Sequence, residues 1–170
     1  GWHVKAAYYS QKRTILTGDS VPRPPGPREV RIDVAYCGIC GSDIHIFEGA
    51  ALADRVSVPQ VIGHEMSGEI VEVGPDVIGW SVGDRVVVRP LDPCGKCYAC
   101  RAGYSHICYN LNFMGVDTPG AFQRSWTVPA HTLHRLPEGL RLDIAALIEP
   151  LAVACHDIRR GELRSQDDAL

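Results

Sequence analysis

Over roughly the first two-thirds of the chain, apolar and polar residues alternate in short runs. VKAAYYS (4–10) and REVRIDVAYC (28–37) combine β-branched residues with a period of two. That period sends successive side chains to opposite faces of a strand. SGEIVEVG (67–74) alternates and stops at Gly74-Pro75, and GDRVVVRP (83–90) follows a turn at Val82-Gly83-Asp84. FQRSWTVPA (122–130) and TLHRLPEG (132–139) predict two more strands. PRPPGPR (22–28) is too rich in proline for regular structure. Short strands at this spacing, punctuated by Gly and Pro, predict a mainly β fold built as a small barrel or sandwich.

The period changes near the end. LDIAALIEPLAVACHDIRRGEL (142–163) is helical in character. Proline suits the first turn of a helix and not its middle. Pro150 therefore predicts one helix ending near Glu149 and a second from Pro150 to about Arg160, with Cys155 as buried packing. Asp167 to Leu170 reads as the opening of a further strand.

With 170 residues, 45% of them hydrophobic and 22% charged, the chain can bury the core of one globular domain. The formal net charge is −3 and no Lys/Arg-rich run occurs, which argues against nucleic acid or an anionic membrane as partner. No run approaches the ~18 apolar residues of a membrane span, and the first residues lack the apolar core of a secretion signal. Seven cysteines, an odd number, point with these features to metal ligation in a reducing cytoplasm rather than to disulfides.

Two cysteine clusters carry the chemistry. Cys94, Cys97, Cys100 and Cys108 follow C-x2-C-x2-C-x7-C. Four thiolates make a closed tetrahedral cage, the geometry of structural zinc. The other cluster mixes donors: Cys37 and Cys40, then Ser42, Asp43 and His45, then His64 and Glu65. A thiolate, an imidazole and a carboxylate suit a zinc that keeps an open position for water or substrate.

Each of these residues also has a plainer reading. On a helical turn after Cys40, Ser42 and His45 share a face as a hydroxyl–imidazole proton relay; alternatively, Ser42 caps the turn beside Asp43 or Glu48. A histidine in a strand-like run is often packing, and adjacent residues in an extended chain face opposite ways, so His64 and Glu65 need not both ligate. Glu149 is placed to complement a helix dipole, or to offer a further oxygen to a zinc.

Five segments in this order resemble the zinc-dependent medium-chain dehydrogenase/reductase family. CGICGSDIH resembles its catalytic-zinc segment and GHEMSGEIVEVG its GHE segment. PCGKCYACRAGYSHIC resembles its structural-zinc lobe, and PGAFQRSWTVPA its substrate-side loop and strand. IEPLAVACHDIRRG is similar to the polyol (sorbitol-type) branch.

The resemblance implies a GroES-like, partly open β-barrel over residues 1–150, carrying a structural-zinc lobe. Residues 151–170 would be a linking helix and the start of a dinucleotide-binding Rossmann domain. Catalytic zinc would sit on Cys40 and His64, with Glu65 and Glu149 as acidic ligand or exchange partner. Structural zinc would sit on Cys94, Cys97, Cys100 and Cys108, and Ser42 and His45 would form the proton relay. The implied activity interconverts a secondary alcohol or polyol and a ketone, with NAD or NADP as hydride carrier. The whole protein would be a cytoplasmic homo-oligomer, a dimer or tetramer.

No G-x-G-x-x-G fingerprint occurs in the 170 residues, so this stretch alone is expected to turn over little substrate. Ile46, Phe47 and Phe113 are candidate pocket residues. Three alternatives stay open at this level: a metal-free GroES-like binding module, an iron–sulfur protein built on the four-cysteine lobe, and a family member that retains only the structural zinc.

Overall fold

The structure, a computed structural model, describes residues 3–167. In chain order its strands and helices are β1 (Val4–Gln11), β2 (Thr14–Ser20), β3 (Glu29–Gly38), α1 (Gly41–Phe47), β4 (Gln60–Val61), β5 (Glu65–Val73), β6 (Arg85–Val88), β7 (Leu91–Asp92), α2 (Tyr98–Arg101), β8 (Asn112–Phe113), β9 (Ser125–Pro129), β10 (Leu133–Arg135), α3 (Leu142–Ala145) and α4 (Ile148–Arg160). All strand pairs are antiparallel. One sheet has the order β2-β1-β4, a second β10-β6-β5-β3-β9, and β7 and β8 form a separate ribbon.

Residues 120–124 stitch the two larger sheets together. Ala7 donates its N–H to the Phe122 carbonyl at 2.8 Å, Arg124 to that of Lys5 at 2.9 Å, and Val34 to that of Arg124 at 2.9 Å. The sheets are joined along this line and do not close into a ring, giving a mainly β, partly open barrel.

Its centre follows from the alternation. Val30 and Ile32 on β3, Met66 and Ile70 on β5, Val86 and Val88 on β6, and Trp126 and Val128 on β9 form one buried cluster. Each such side chain contributes on the order of 1.5–3 kcal/mol by leaving water. The central strand β5 approaches β3 so closely that a Cβ on Gly68 would lie 2.3 Å from the Asp33 carbonyl oxygen. A second cluster, with Tyr9, Ile46, Val56, Ile62 and Val116, packs α1 against β1 and the residue that follows β4.

Several boundaries differ from those read in the sequence. Strand β2 was not anticipated, because TILTGDS has no buried residue and its two apolar side chains, Ile15 and Leu16, are adjacent rather than alternating. The expected strand 132–139 shortens to β10, since Pro137 and Gly139 end it. The helical break falls at Ala146-Leu147 rather than at Pro150. Pro150 is the third residue of α4, where a backbone N–H would have no intrahelical acceptor, so its absence costs nothing. Cys155 is exposed and not buried packing: no residue of α4 is buried, and 151–160 are all exposed. The expected opening of a further strand runs into residues 168–170, which lie outside the described residues.

Candidate functional site

The catalytic candidates come together at the junction of β3, α1, β5 and α4. Strand β3 ends at Gly38, which pairs with Glu65 at the start of β5. A Cβ on Gly38 would lie 2.8 Å from the Glu65 carboxylate. Glycine therefore leaves space for that side chain beside the strand end. The chain then passes Cys40 into α1. Asp43 holds this entry: its Oδ2 accepts the Cys40 backbone N–H at 2.9 Å. The turn is thus fastened by Asp43 rather than by Ser42, while Glu48 is engaged by Arg13 at 2.7 Å.

His64 precedes β5 and lies outside the strand. Gly63 before it has φ of +94°, a conformation L side chains avoid. The alternation rule, which would send His64 and Glu65 to opposite sides, does not operate across this kink. Ligand atoms of Cys40, His64 and Glu65 all lie within 4.8 Å of one another.

These three residues line a cavity of about 420 Å³ together with Ser42, Pro90, Leu91, Phe113, Glu149, Pro150 and Val153. Cys40 Sγ and Ser42 Oγ are 3.7 Å apart. His45 lies one turn further along α1 and is exposed. Glu149 is outside the 4.8 Å group but shares the cavity. Of the other pocket candidates, Phe113 lines this cavity, whereas Ile46 is buried in the second core cluster; Phe47 is not among the residues lining it.

Burial governs the electrostatics. It pulls His64 down to about 4, so the imidazole is neutral and able to ligate at pH 7. Burial, with the neighbouring charges of Glu65 and Asp43, pushes Glu149 up to about 7. Burial, with the charge of Glu65, pushes Asp43 up to about 6 against the bond from Cys40. Burial also pushes Cys37 up to about 12, with Asp43 and Glu65 adding to the effect, so Cys37 stays a thiol. Glu149 in the pocket and Asp43 and Cys37 near it, all with charged forms disfavoured, mark a site short of positive charge. A divalent cation would supply it, and the thiol, imidazole and carboxylate donors fit zinc.

The second cluster lies between β7 and β8, around α2. The four sulfur atoms of Cys94, Cys97, Cys100 and Cys108 lie within 4.8 Å of one another. Cys97 Sγ is 3.5 Å from Cys100 Sγ and 3.9 Å from Cys108 Sγ. Backbone N–H groups point at the sulfurs: Cys97 donates to Cys94, Cys94 to Cys108, and Asn110 to Cys108, at 3.3–3.4 Å. Those of Lys96 and Cys97 hold Cys94 down to about 6, whereas burial and its thiol neighbours push Cys100 up to about 12. Four crowded sulfurs cannot all ionise without a cation among them, which fits the donor set to a closed zinc site. All seven cysteines are free thiols.

Residues 26–138 match the family described as the alcohol dehydrogenase GroES-like domain. The chain belongs to that family. It is 53% identical over 165 residues to 2-dehydro-3-deoxy-L-galactonate 5-dehydrogenase of Pseudoalteromonas atlantica, covering 97% of this chain and 48% of that protein. It is 46% identical over 161 residues to L-threonine 3-dehydrogenase of Pyrococcus abyssi, covering 94% and 45%. Among solved structures it superposes on an alcohol dehydrogenase of Escherichia coli CFT073 in complex with NADH, with a TM-score of 0.86 and 35% identity, covering 95% and 47%. The chain thus spans about half the length of the relatives it matches. Like the expected GroES-like domain, it has no helix among the described residues long and apolar enough to cross a membrane.

Residues that sequence reasoning missed are those that support the site. Asp43 was grouped with the mixed cluster but given no supporting role, yet it is 3% exposed and fastens Cys40. Gly38 sets the approach of Glu65, and nothing in the sequence marked their pairing. Gly63, by contrast, is legible as a glycine directly before His64 that lets the backbone turn tightly, and its φ of +94° agrees.

Proposed function

We propose that this chain is the zinc-binding catalytic half of an NAD(P)-dependent dehydrogenase that interconverts a secondary alcohol or polyol and its ketone. The observation that carries the reading is the convergence of Cys40, His64 and Glu65 on one cavity with Ser42 and Glu149. In this reading Cys40, His64 and Glu65 hold the catalytic zinc, and Glu149 is a further carboxylate able to exchange with them. Cys94, Cys97, Cys100 and Cys108 hold the structural zinc.

Bound there, zinc would supply Lewis-acid polarisation of the substrate oxygen. The chain's own residues do the rest. Ser42, beside Cys40, accepts the hydroxyl proton and passes it toward His45, which is open to solvent. Leu91, Phe113 and Val153 wall the cavity with apolar surface and limit water. A nicotinamide bound by the whole protein would supply the hydride acceptor, so that the alcohol would lose one hydride and one proton.

Residues 1–150 form the catalytic domain in this proposal, and 151–170 lead into the cofactor domain. The exposed Leu151, Val153 and Ile158 on α4 support the division, because such an apolar set suits burial against a further domain. The free thiols suit a reducing cytoplasm. The family resemblance favours a homo-oligomeric whole protein, a dimer or tetramer.

The test is elemental analysis of the intact protein combined with NAD(P)H formation from a panel of secondary alcohols and polyols. Two zinc atoms per chain and chelator-sensitive turnover are expected. One zinc held by the cysteine lobe and no turnover would overturn the reading in favour of a protein that keeps only its structural metal.

A further inference from the structure

The wall of the candidate pocket is tied to an ion pair that lies outside it. Phe113 lines the cavity, and its ring meets the His64 imidazole edge-on, with centroids 4.9 Å apart and planes at 67°. Its backbone is held on both sides. The Phe113 N–H donates to Asp117 Oδ2 at 2.8 Å, and its carbonyl accepts from Val116 at 3.0 Å and from Asp117 at 2.8 Å. Asp117 is itself gripped by Arg55: Nε donates to Oδ1 at 2.9 Å and Nη2 to Oδ2 at 2.6 Å.

Arg55 belongs to a short 3-10 turn, Ala53–Arg55, a few residues after α1, the helix that carries Ser42 and His45. The flanking Leu52 and Val56 pack in the same cluster as Ile46, Val116 and Phe113. The two-pronged grip therefore joins the α1 side of the site to the turn that presents Phe113.

We infer that the Arg55–Asp117 pair is a positioning clasp that fixes Phe113 beside His64 and so sets the fit of the substrate's carbon chain. The inference rests on the dehydrogenase reading above. Neither charged residue lines the cavity, so both act through Phe113. A partly exposed ion pair adds little to global stability. What this one adds is direction: a planar guanidinium fork fixes both carboxylate oxygens, and one of those oxygens fixes the Phe113 amide. Loss of the fork frees the turn while both metal clusters keep all their donors.

The test uses the intact protein with Asp117→Ala, Asp117→Asn and Arg55→Lys. For Asp117→Ala, KM should rise about tenfold with kcat within about threefold, the pattern of lost binding common to ground and transition states. Asp117→Asn keeps an acceptor for the Phe113 N–H and should fall between Asp117→Ala and wild type. Arg55→Lys keeps the charge without the fork and should raise KM in the same direction.

The second readout needs no turnover. With cobalt in place of the catalytic zinc, the visible spectrum of Asp117→Ala should shift relative to wild type, while the metal count stays at two per chain. Unchanged KM and spectrum, or a parallel fall of kcat and Tm with no KM effect, would overturn the clasp and leave the dehydrogenase reading intact. A wild-type protein that forms no NAD(P)H from any alcohol would remove both.

Discussion

His64 Nδ1 and Asp43 Oδ1 lie 3.9 Å apart, both buried, and neither has a hydrogen-bond partner. Buried polar atoms rarely remain unpaired, since each costs about 1–3 kcal/mol. The pair comes into register if His64 carries its proton on Nδ1 and the two groups close by about 1 Å. That tautomer leaves the other ring nitrogen free to ligate, and a carboxylate behind a ligating imidazole raises its basicity. Asp43 then serves two ends of the site at once, because its Oδ2 already holds the Cys40 amide.

Asp43→Asn should weaken the catalytic metal by about 10–100-fold, the usual cost of losing such a partner. The lobe metal should be unaffected. Competition with a zinc chelator, followed as two separate release phases, checks this. Equal release of both metals in variant and wild type would contradict it.

The two clusters should respond differently to loss of a thiolate. Cys40→Ser should lower the metal count from two to one per chain with little change in Tm. Cys97→Ser should leave three sulfurs in the cage and open the lobe between β7 and β8 to proteolysis. Limited proteolysis with mapping of the first cut reads both variants. Protease resistance and metal content unchanged in Cys97→Ser would refute the closed-site assignment.

Three glycines cross behind His64. A Cβ on Gly115 would stand 2.5 Å from the Gly63 carbonyl oxygen, and one on Gly120 would stand 2.3 Å from the same atom. Gly115 also has φ of +93°. Gly115→Ala should destabilise by about 2 kcal/mol or more, combining backbone strain with overlap. Because the overlap pushes on the segment that carries His64, it should also lower catalytic-metal affinity. Denaturant midpoints and chelator competition on one preparation separate the two effects.

Asp84 provides a pH-dependent contribution away from the metals. Its bond from Arg135, then that from the Ser81 N–H, hold its carboxyl below the ordinary value of 3.8. A carboxyl with a depressed folded-state value stabilises the fold above its unfolded value, and that contribution fades as pH falls through the folded one. Asp84→Asn should cost about 0.5 kcal/mol at pH 7, the scale of an exposed pair. The difference from wild type should shrink below about pH 3.8. Thermal unfolding of both proteins between pH 2 and 7 tests the sign: a gap that widens on acidification would contradict it.

The chain's spacing determined much of this protein. Period-two alternation placed β1, β3 and β5, because successive side chains on a strand face opposite ways, while β6 and β9 were read as short apolar runs bounded by Gly and Pro. The C-x2-C-x2-C-x7-C run marked the four-cysteine lobe, since those ligands are close in sequence and need only a local turn to meet. The exposed hairpin strand β2 left no such imprint, and the helix boundary at Ala146-Leu147 was hidden because a proline fits the third position of α4 as well as the first.

What tertiary structure alone decided is the mixed site. Cys40, His64 and Glu149 are far apart in sequence, and strand pairing together with the kink at Gly63 brings them to one cavity. The same holds for Asp43 against His64 and Arg55 against Asp117. Each of these pairs joins segments separated along the chain, and no local periodicity records such a contact: the packing of the second core cluster, rather than any motif, sets the distance between them.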